Sequence, residues 1–169
     1  LPSHVKCAGA CLLASVSFLL DSTSPAAEPK FESKIVSADT KGHAVEVEVD
    51  LQGAKKLFLV VTDAGDGFGC DWADWAEPRL VSKDGKETKL TELKWKAASA
   101  GFGEAKINAN CGGDALSING KNVEYGIGTH ANSVIEFDLP DGSTFERFKA
   151  RAGLDSQGTN QGCGSTVRF

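Results

Sequence analysis

The chain has 169 residues, a net charge of −5 and a pI of about 5.2, with 41% apolar and 24% charged residues. That length holds one domain whose core is large enough to stand without staples, and the acidic balance excludes nucleic acid as a partner. There is no methionine, so Leu1 is read as lying inside a longer natural chain.

Lys6, the apolar stretch 7–20 and then Ser24-Pro25-Ala26-Ala27 carry the three parts of a secretory signal: charge, apolar centre and small residues. Residues 1–27 are therefore expected to be a leader, 28–34 a linker, and 35–169 the folded domain. The apolar run is too short to span a bilayer comfortably, and no other stretch approaches that length. The mature chain is expected to have no membrane span and to be secreted or held in the cell envelope.

From Ile35 onward the pattern is one of strands and turns. Residues 44–51 alternate apolar and acidic side chains, as a strand with one wet face requires. Leu57-Phe58-Leu59-Val60-Val61 is continuously apolar and predicts a strand covered on both sides. Arg79-Leu80-Val81 leads into Lys83-Asp84-Gly85-Lys86, a hairpin signal, and Leu93-Lys94-Trp95-Lys96-Ala97 alternates again. Asn119-Gly120 is the strongest short turn signal in the chain. Ser133 to Leu139 alternates, 145–153 alternates weakly, and Ser165 to Phe169 begins a further strand. No segment between Phe31 and Phe169 sustains a helical period, so the expected fold is an all-β sandwich or barrel.

Residues 63–75, Asp-Ala-Gly-Asp-Gly-Phe-Gly-Cys-Asp-Trp-Ala-Asp-Trp, read as a loop delivered by the strand before it. It gathers Asp63, Asp66, Asp71 and Asp74 with two indoles. Carboxylates suit sugar hydroxyls or a hard cation, and a flat indole suits the C–H face of a sugar. Asp63, Asp66 and Asp74 are the candidate ligands of a calcium ion, although the spacing is not that of an EF-hand and solvated acids need no metal. Trp72 and Trp75 stand three apart, hence on opposite faces of an extended chain, with Trp75 expected in the core and Trp72 nearer solvent. Trp95, between two lysines, is expected to be buried.

The five cysteines lack zinc-site spacing. In an exported protein, Cys70, Cys111 and Cys163 permit one disulfide. The stretch 59–70 is echoed by 150–163: a strand, an Asp, then a polar loop ending Gly-Cys. The two loops face each other in one reading, which brings Cys70 towards Cys163. In the other they are merely alike, and Cys111 competes for the same partner.

At Tyr125-Gly126-Ile127-Gly128-Thr129-His130-Ala131, with Ser133 to Leu139 behind it, the chain resembles the NPCBM/NEW2 family of carbohydrate-binding modules. That group is associated with family 98 glycoside hydrolases and with carbohydrate-binding module family 51. Leu93-Lys94-Trp95, the stretch from Phe148 through Asp155 to Phe169, and the stretch from Val47 to Leu80 fit it too. The segment like 57–80 commonly closes the domain and here comes first, which reads as a rotated order within one jelly roll or as the tail of one module leading into another. The blocks sum to about one domain's worth of strands, which favours rotation.

The resemblance implies a jelly-roll β-sandwich of the galactose-binding-domain type. It would act as a non-catalytic module of a secreted bacterial protein that binds glycans, galactose-containing ones among relatives. It also implies a role for His130, a sugar contact or an anchor for the Asp71 loop, with Asn132 beside it. Candidate carbohydrate-binding residues are therefore Trp72, Asp71, His130 and Asn132, although a lone histidine is more often a satisfied structural group. The competing readings are a protein-binding adhesion module at the cell surface and an accessory domain of a glycoside hydrolase. No carboxylate pair, Gly-x-Ser-x-Gly elbow, His-Glu-x-x-His or phosphate loop marks an enzyme of its own.

Overall fold

The computed structural model describes residues 28–51, 53–140 and 144–169. The leader expected over 1–27 lies outside the described residues. In chain order the strands are β1 (Val36–Ser37), β2 (Ala44–Asp50), β3 (Lys56–Val61), β4 (Trp72–Ser82), β5 (Glu87–Lys89), β6 (Ala97–Ser99) and β7 (Lys106–Ile107). They continue as β8 (Ser117–Ile118), β9 (Lys121–Asn122), β10 (Gly126–His130), β11 (Ser133–Asp138) and β12 (Phe145–Leu154). A four-residue helix, α1 (Ser156–Thr159), precedes β13 (Thr166–Val167).

One sheet has six strands, ordered β2-β12-β4-β10-β7 with β5 hairpinned onto β4, and a second runs β3-β11-β6. Every pairing within them is antiparallel. A bridge between Thr62 and Arg168 sets β13 beside β3, and β1 pairs with β13 in turn. The fold is an all-β sandwich. Its core joins Trp75, Ile127 and Phe148 of the larger sheet to Leu59, Val61, Ile135 and Phe137 of the smaller, with Phe169 edge-on to Trp75 at 5.1 Å. Interdigitated aromatic and aliphatic side chains of this kind supply most of the driving force for folding.

The period-two reading holds for β2, where Val47 is buried while Glu46 and Glu48 face water. Glu48 pairs there with Arg147 and Lys149 of β12. The Asn119-Gly120 signal also holds. Both residues take positive φ, 50° and 71°, the geometry of a type I′ hairpin between β8 and β9.

Three expectations are corrected. Leu57 to Val61 is covered on one face only: Phe58 and Val60 are exposed on the outside of β3. Its apolar continuity reflects a bare outer face rather than a second cover. Residues 93–96 are not a strand; a 3-10 turn at Leu90–Glu92 precedes them, and pairing with β11 begins only at Ala97. Trp95 is half-buried and packs edge-on against Phe137. Finally, the expected loop 63–75 stops at Asp71. Trp72 to Trp75 already belongs to β4, which lies between β10 and β12 in the larger sheet.

The larger sheet carries a second layer. Segment 108–118 lies flat against the outer side of β4, β10 and β12. This is possible because β10 and β12 present glycines there. A methyl group on Gly128 would fall 2.4 Å from the Ala109 carbonyl oxygen and from Asn110 Cα. One on Gly153 would fall 2.6 Å from the His43 carbonyl oxygen and 3.1 Å from Ile118 Cδ1. The Gly-x-Gly of β10 is thus the floor on which this flap rests. Among the described residues no helix is long and apolar enough to cross a membrane.

Candidate functional site

The site forms where β10 hands over to β11. His130, the last residue of β10, stands opposite Trp72, the first of β4, in the strand register. Its ring is buried at 4% exposure, and Nδ1 lies 2.6 Å from the Ala131 carbonyl oxygen. A carbonyl only accepts, so Nδ1 carries the hydrogen and donates, which leaves Nε2 as the acceptor of the neutral ring.

Two phenylalanines flank this imidazole edge-on. Phe68 lies 6.1 Å away between ring centroids and Phe102 lies 5.6 Å away. Both are exposed, at 54% and 58%. Exposed aromatic rings beside a buried polar head provide what a sugar ring needs: apolar surface for its C–H face and a fixed partner for a hydroxyl.

Each phenylalanine is held by its loop. Gly101 donates its N–H to the His130 carbonyl at 3.2 Å, and a methyl there would fall 2.1 Å from the Ala131 carbonyl oxygen. Only glycine permits that approach, which brings Phe102 to the site. Phe68 belongs to loop 62–71, which is fastened at several points. Asn132 accepts from the Asp63 N–H through Oδ1 at 3.0 Å and donates through Nδ2 to Asp63 Oδ2 at 3.3 Å. Thr166 donates through Oγ1 to Asp66 at 2.7 Å and through its N–H to Asp71 Oδ1 at 3.0 Å. Cys70 and Cys163 form a disulfide with Cα atoms 6.0 Å apart, so of the open pairings the two facing loops are the ones joined, and Cys111 is a buried free thiol.

The candidates named from sequence therefore separate into roles. His130 lies at the centre. Asn132 spends both ends of its amide on Asp63 and acts as a clamp on the Phe68 loop. Asp71 is buried at 1%, with Oδ2 unpartnered. Trp72 is half-buried: a methyl on Gly112 would fall 2.7 Å from its ring and one on Gly158 2.8 Å from its Cβ, so it is walled in by the flap and α1. Trp75 is in the core at 3%.

The proposed calcium ligands fall apart in space. Asp63 and Asp66 lie near Asp71, whose acidity both influence, whereas Asp74 is fully buried on the outer face of β4 beside Asp155. Among the described residues no three His, Cys, Asp or Glu side chains gather into a metal cage. A cavity of about 510 Å³ opens between β2 and β3, lined by residues such as Val49, Leu57, Trp75 and Phe169, and none of the candidate sugar-binding residues borders it.

Burial pushes the Asp71 carboxyl up to about 6, with Asp66 and Asp63 adding to the rise against the lowering effect of the Thr166 N–H. The folded state thus favours the protonated acid. Its contribution to stability is complete below about pH 4 and is lost as pH rises towards about 6, by on the order of 2 kcal/mol. Asp71→Asn, which retains the Oδ1 acceptor, is expected to flatten that fall and to melt higher than wild type above about pH 7, measured by thermal unfolding across pH.

Sequence reasoning passed over Phe68 and Phe102. The available signal was their setting, Gly67-Phe68-Gly69 and Gly101-Phe102-Gly103, where a large apolar ring sits between glycines in a stretch too flexible to be core.

Neither the curated proteins nor the solved structures gave a match to this chain. The model of the NPCBM/NEW2 domain matches in two pieces, residues 14–81 and 86–169, which meet at the β4–β5 turn. Both pieces supply neighbouring strands to the same sheet: β4 from the first lies between β10 and β12 from the second. With nearly the whole chain matched, the protein belongs to the NPCBM/NEW2 family.

Proposed function

We propose that this chain is a non-catalytic carbohydrate-binding module, and that a glycan docks where Phe68 and Phe102 flank His130. One observation carries the reading: two exposed aromatic rings converge on a buried imidazole whose Nδ1 is already committed to a carbonyl. A sugar hydroxyl donates to Nε2 while the ring C–H groups lie on the phenyl faces. Family membership supports a glycan ligand. The carboxylates support the absence of catalysis in this reading. Glycoside hydrolysis needs two that face one bond, whereas Asp71 and Asp74 are buried among different partners. The disulfide supports a life outside the reducing cytosol, as a secreted or envelope protein.

The test is a glycan array probed with the full chain. Retention of one or more glycans is expected, with the signal lost in His130→Ala. No signal on any glycan, together with capture of a protein partner, would instead favour an adhesion module.

A further inference from the structure

Under the flap, two carboxyl groups are buried together. Asp74 of β4 projects between Gly128 of β10 and Gly153 of β12, with segment 108–118 above it. Asp155, at the end of β12, is the second; both are at 0% exposure. Asp155 is fully engaged. It accepts from the Ser117 N–H at 3.2 Å and from the Gln157 N–H at 2.8 Å, the second as the N-cap of α1, and Asn110 Nδ2 stands 3.5 Å away. Asn110 in turn gathers the N–H groups of Gly112, Gly113 and Asp114 on its Oδ1. The flap is therefore tied to the sheet through Asp155.

Asp74 is the exception: no donor makes a well-formed hydrogen bond to either of its oxygens, and its near polar neighbours are the Asp155 carboxyl and the Ser117 N–H that Asp155 already holds. An ionised carboxylate held dry beside a second carboxylate is strongly disfavoured, whereas a protonated Asp74 can donate to Asp155. The arrangement is stable only if Asp74 is the neutral acid. Burial, and then the charge of Asp155, hold its carboxyl well above the usual carboxylate range. The other titratable group facing it is the thiol of Cys111 in the flap, which burial and the same two acids push up to about 12. On this side β10 carries Gly126, Gly128 and, at its end opposite Trp72, His130, so the position directly beside Asp74 is Gly128.

We propose that Asp74 is a proton latch for the flap: neutral, it lets segment 108–118 lie on Asp155; deprotonated by hydroxide, it repels Asp155 and releases the segment. Release lifts Gly112 from the Trp72 ring, the cross-strand neighbour of His130, so the latch bears on the wall of the candidate site. The latch itself does not depend on the glycan reading.

Cys111 reports its state. In the closed flap the thiol is buried and almost wholly protonated, so alkylation of the full chain, followed at the Cys111 peptide by mass spectrometry, reads opening directly. As pH is raised from about 7 into the alkaline range, the rate in wild type is expected to rise at least about tenfold more than in Asp74→Asn, whose amide cannot ionise. Matching profiles in the two proteins would overturn the proposal. Infrared spectra of wild type provide a measurement that needs no variant. Once Asp71 has ionised, a protonated carboxyl band is expected to remain, and it should vanish in step with Cys111 exposure as pH rises further. A spectrum without that band just above the ionisation of Asp71 would sink the latch.

Discussion

Gly128→Ala is expected to destabilise the protein by about 3 kcal/mol or more, lowering the melting temperature by roughly 10 °C, or to prevent folding. The added methyl would meet backbone on both contacts, the Ala109 carbonyl oxygen and Asn110 Cα at 2.4 Å, and backbone cannot swing aside as a flexible side-chain tip can. The flap would have to lift, which would strip cover from Asp74, Asn110 and Cys111, all buried beneath or within it. Gly69→Ala is the control. It has ordinary φ and nothing within 4 Å, so thermal melts should leave it within about 0.5 kcal/mol of wild type. If the two variants melt alike, the flap does not rest on β10 as described.

Truncating the aromatic pair is expected to separate binding from folding. Phe68→Ala and Phe102→Ala each remove an exposed ring, so each should change stability by less than about 0.5 kcal/mol. Against a glycan selected on an array, each should weaken affinity about tenfold, from lost apolar burial and ring contact worth about 1–2 kcal/mol. The double variant should show no measurable binding by calorimetry. Trp72→Ala should behave in the opposite way, costing stability because its ring is packed between the flap and α1. Should Trp72→Ala abolish binding while the phenylalanine variants retain it, the site has been placed on the wrong rings.

The elements that were legible in the sequence are those where local chemistry and burial agree. β2 has one wet face and alternates; the turn at Asn119-Gly120 needs two positive φ values and has the residues that take them most readily. Where they disagree, the reading went astray. β3 is apolar on both faces, but only one is covered, since exposure of Phe58, Val60 and Val134 is a property of the assembled surface and not of the strand. The acids of 63–75 looked like one cluster because they are close in sequence. Entry into β4 at Trp72 divides them, sending Asp74 under the flap and leaving Asp71 with Thr166. His130 was found through the resemblance, and the disulfide was one of two open readings of the echoed loops. Phe68 and Phe102 were missed because phenylalanine is read as core by default, and only the paired glycines around each argue otherwise.

The interleaving of strands has a consequence for how the molecule can be divided. The middle of the larger sheet comes from the first half of the chain and both of its neighbours come from the second. A cut within the tight β4–β5 turn therefore yields two fragments, each with unsatisfied edges that only the other can cap. Neither fragment should fold alone, yet the two produced together should reconstitute one sandwich, a split reporter whose assembly can be followed by the burial of Trp75.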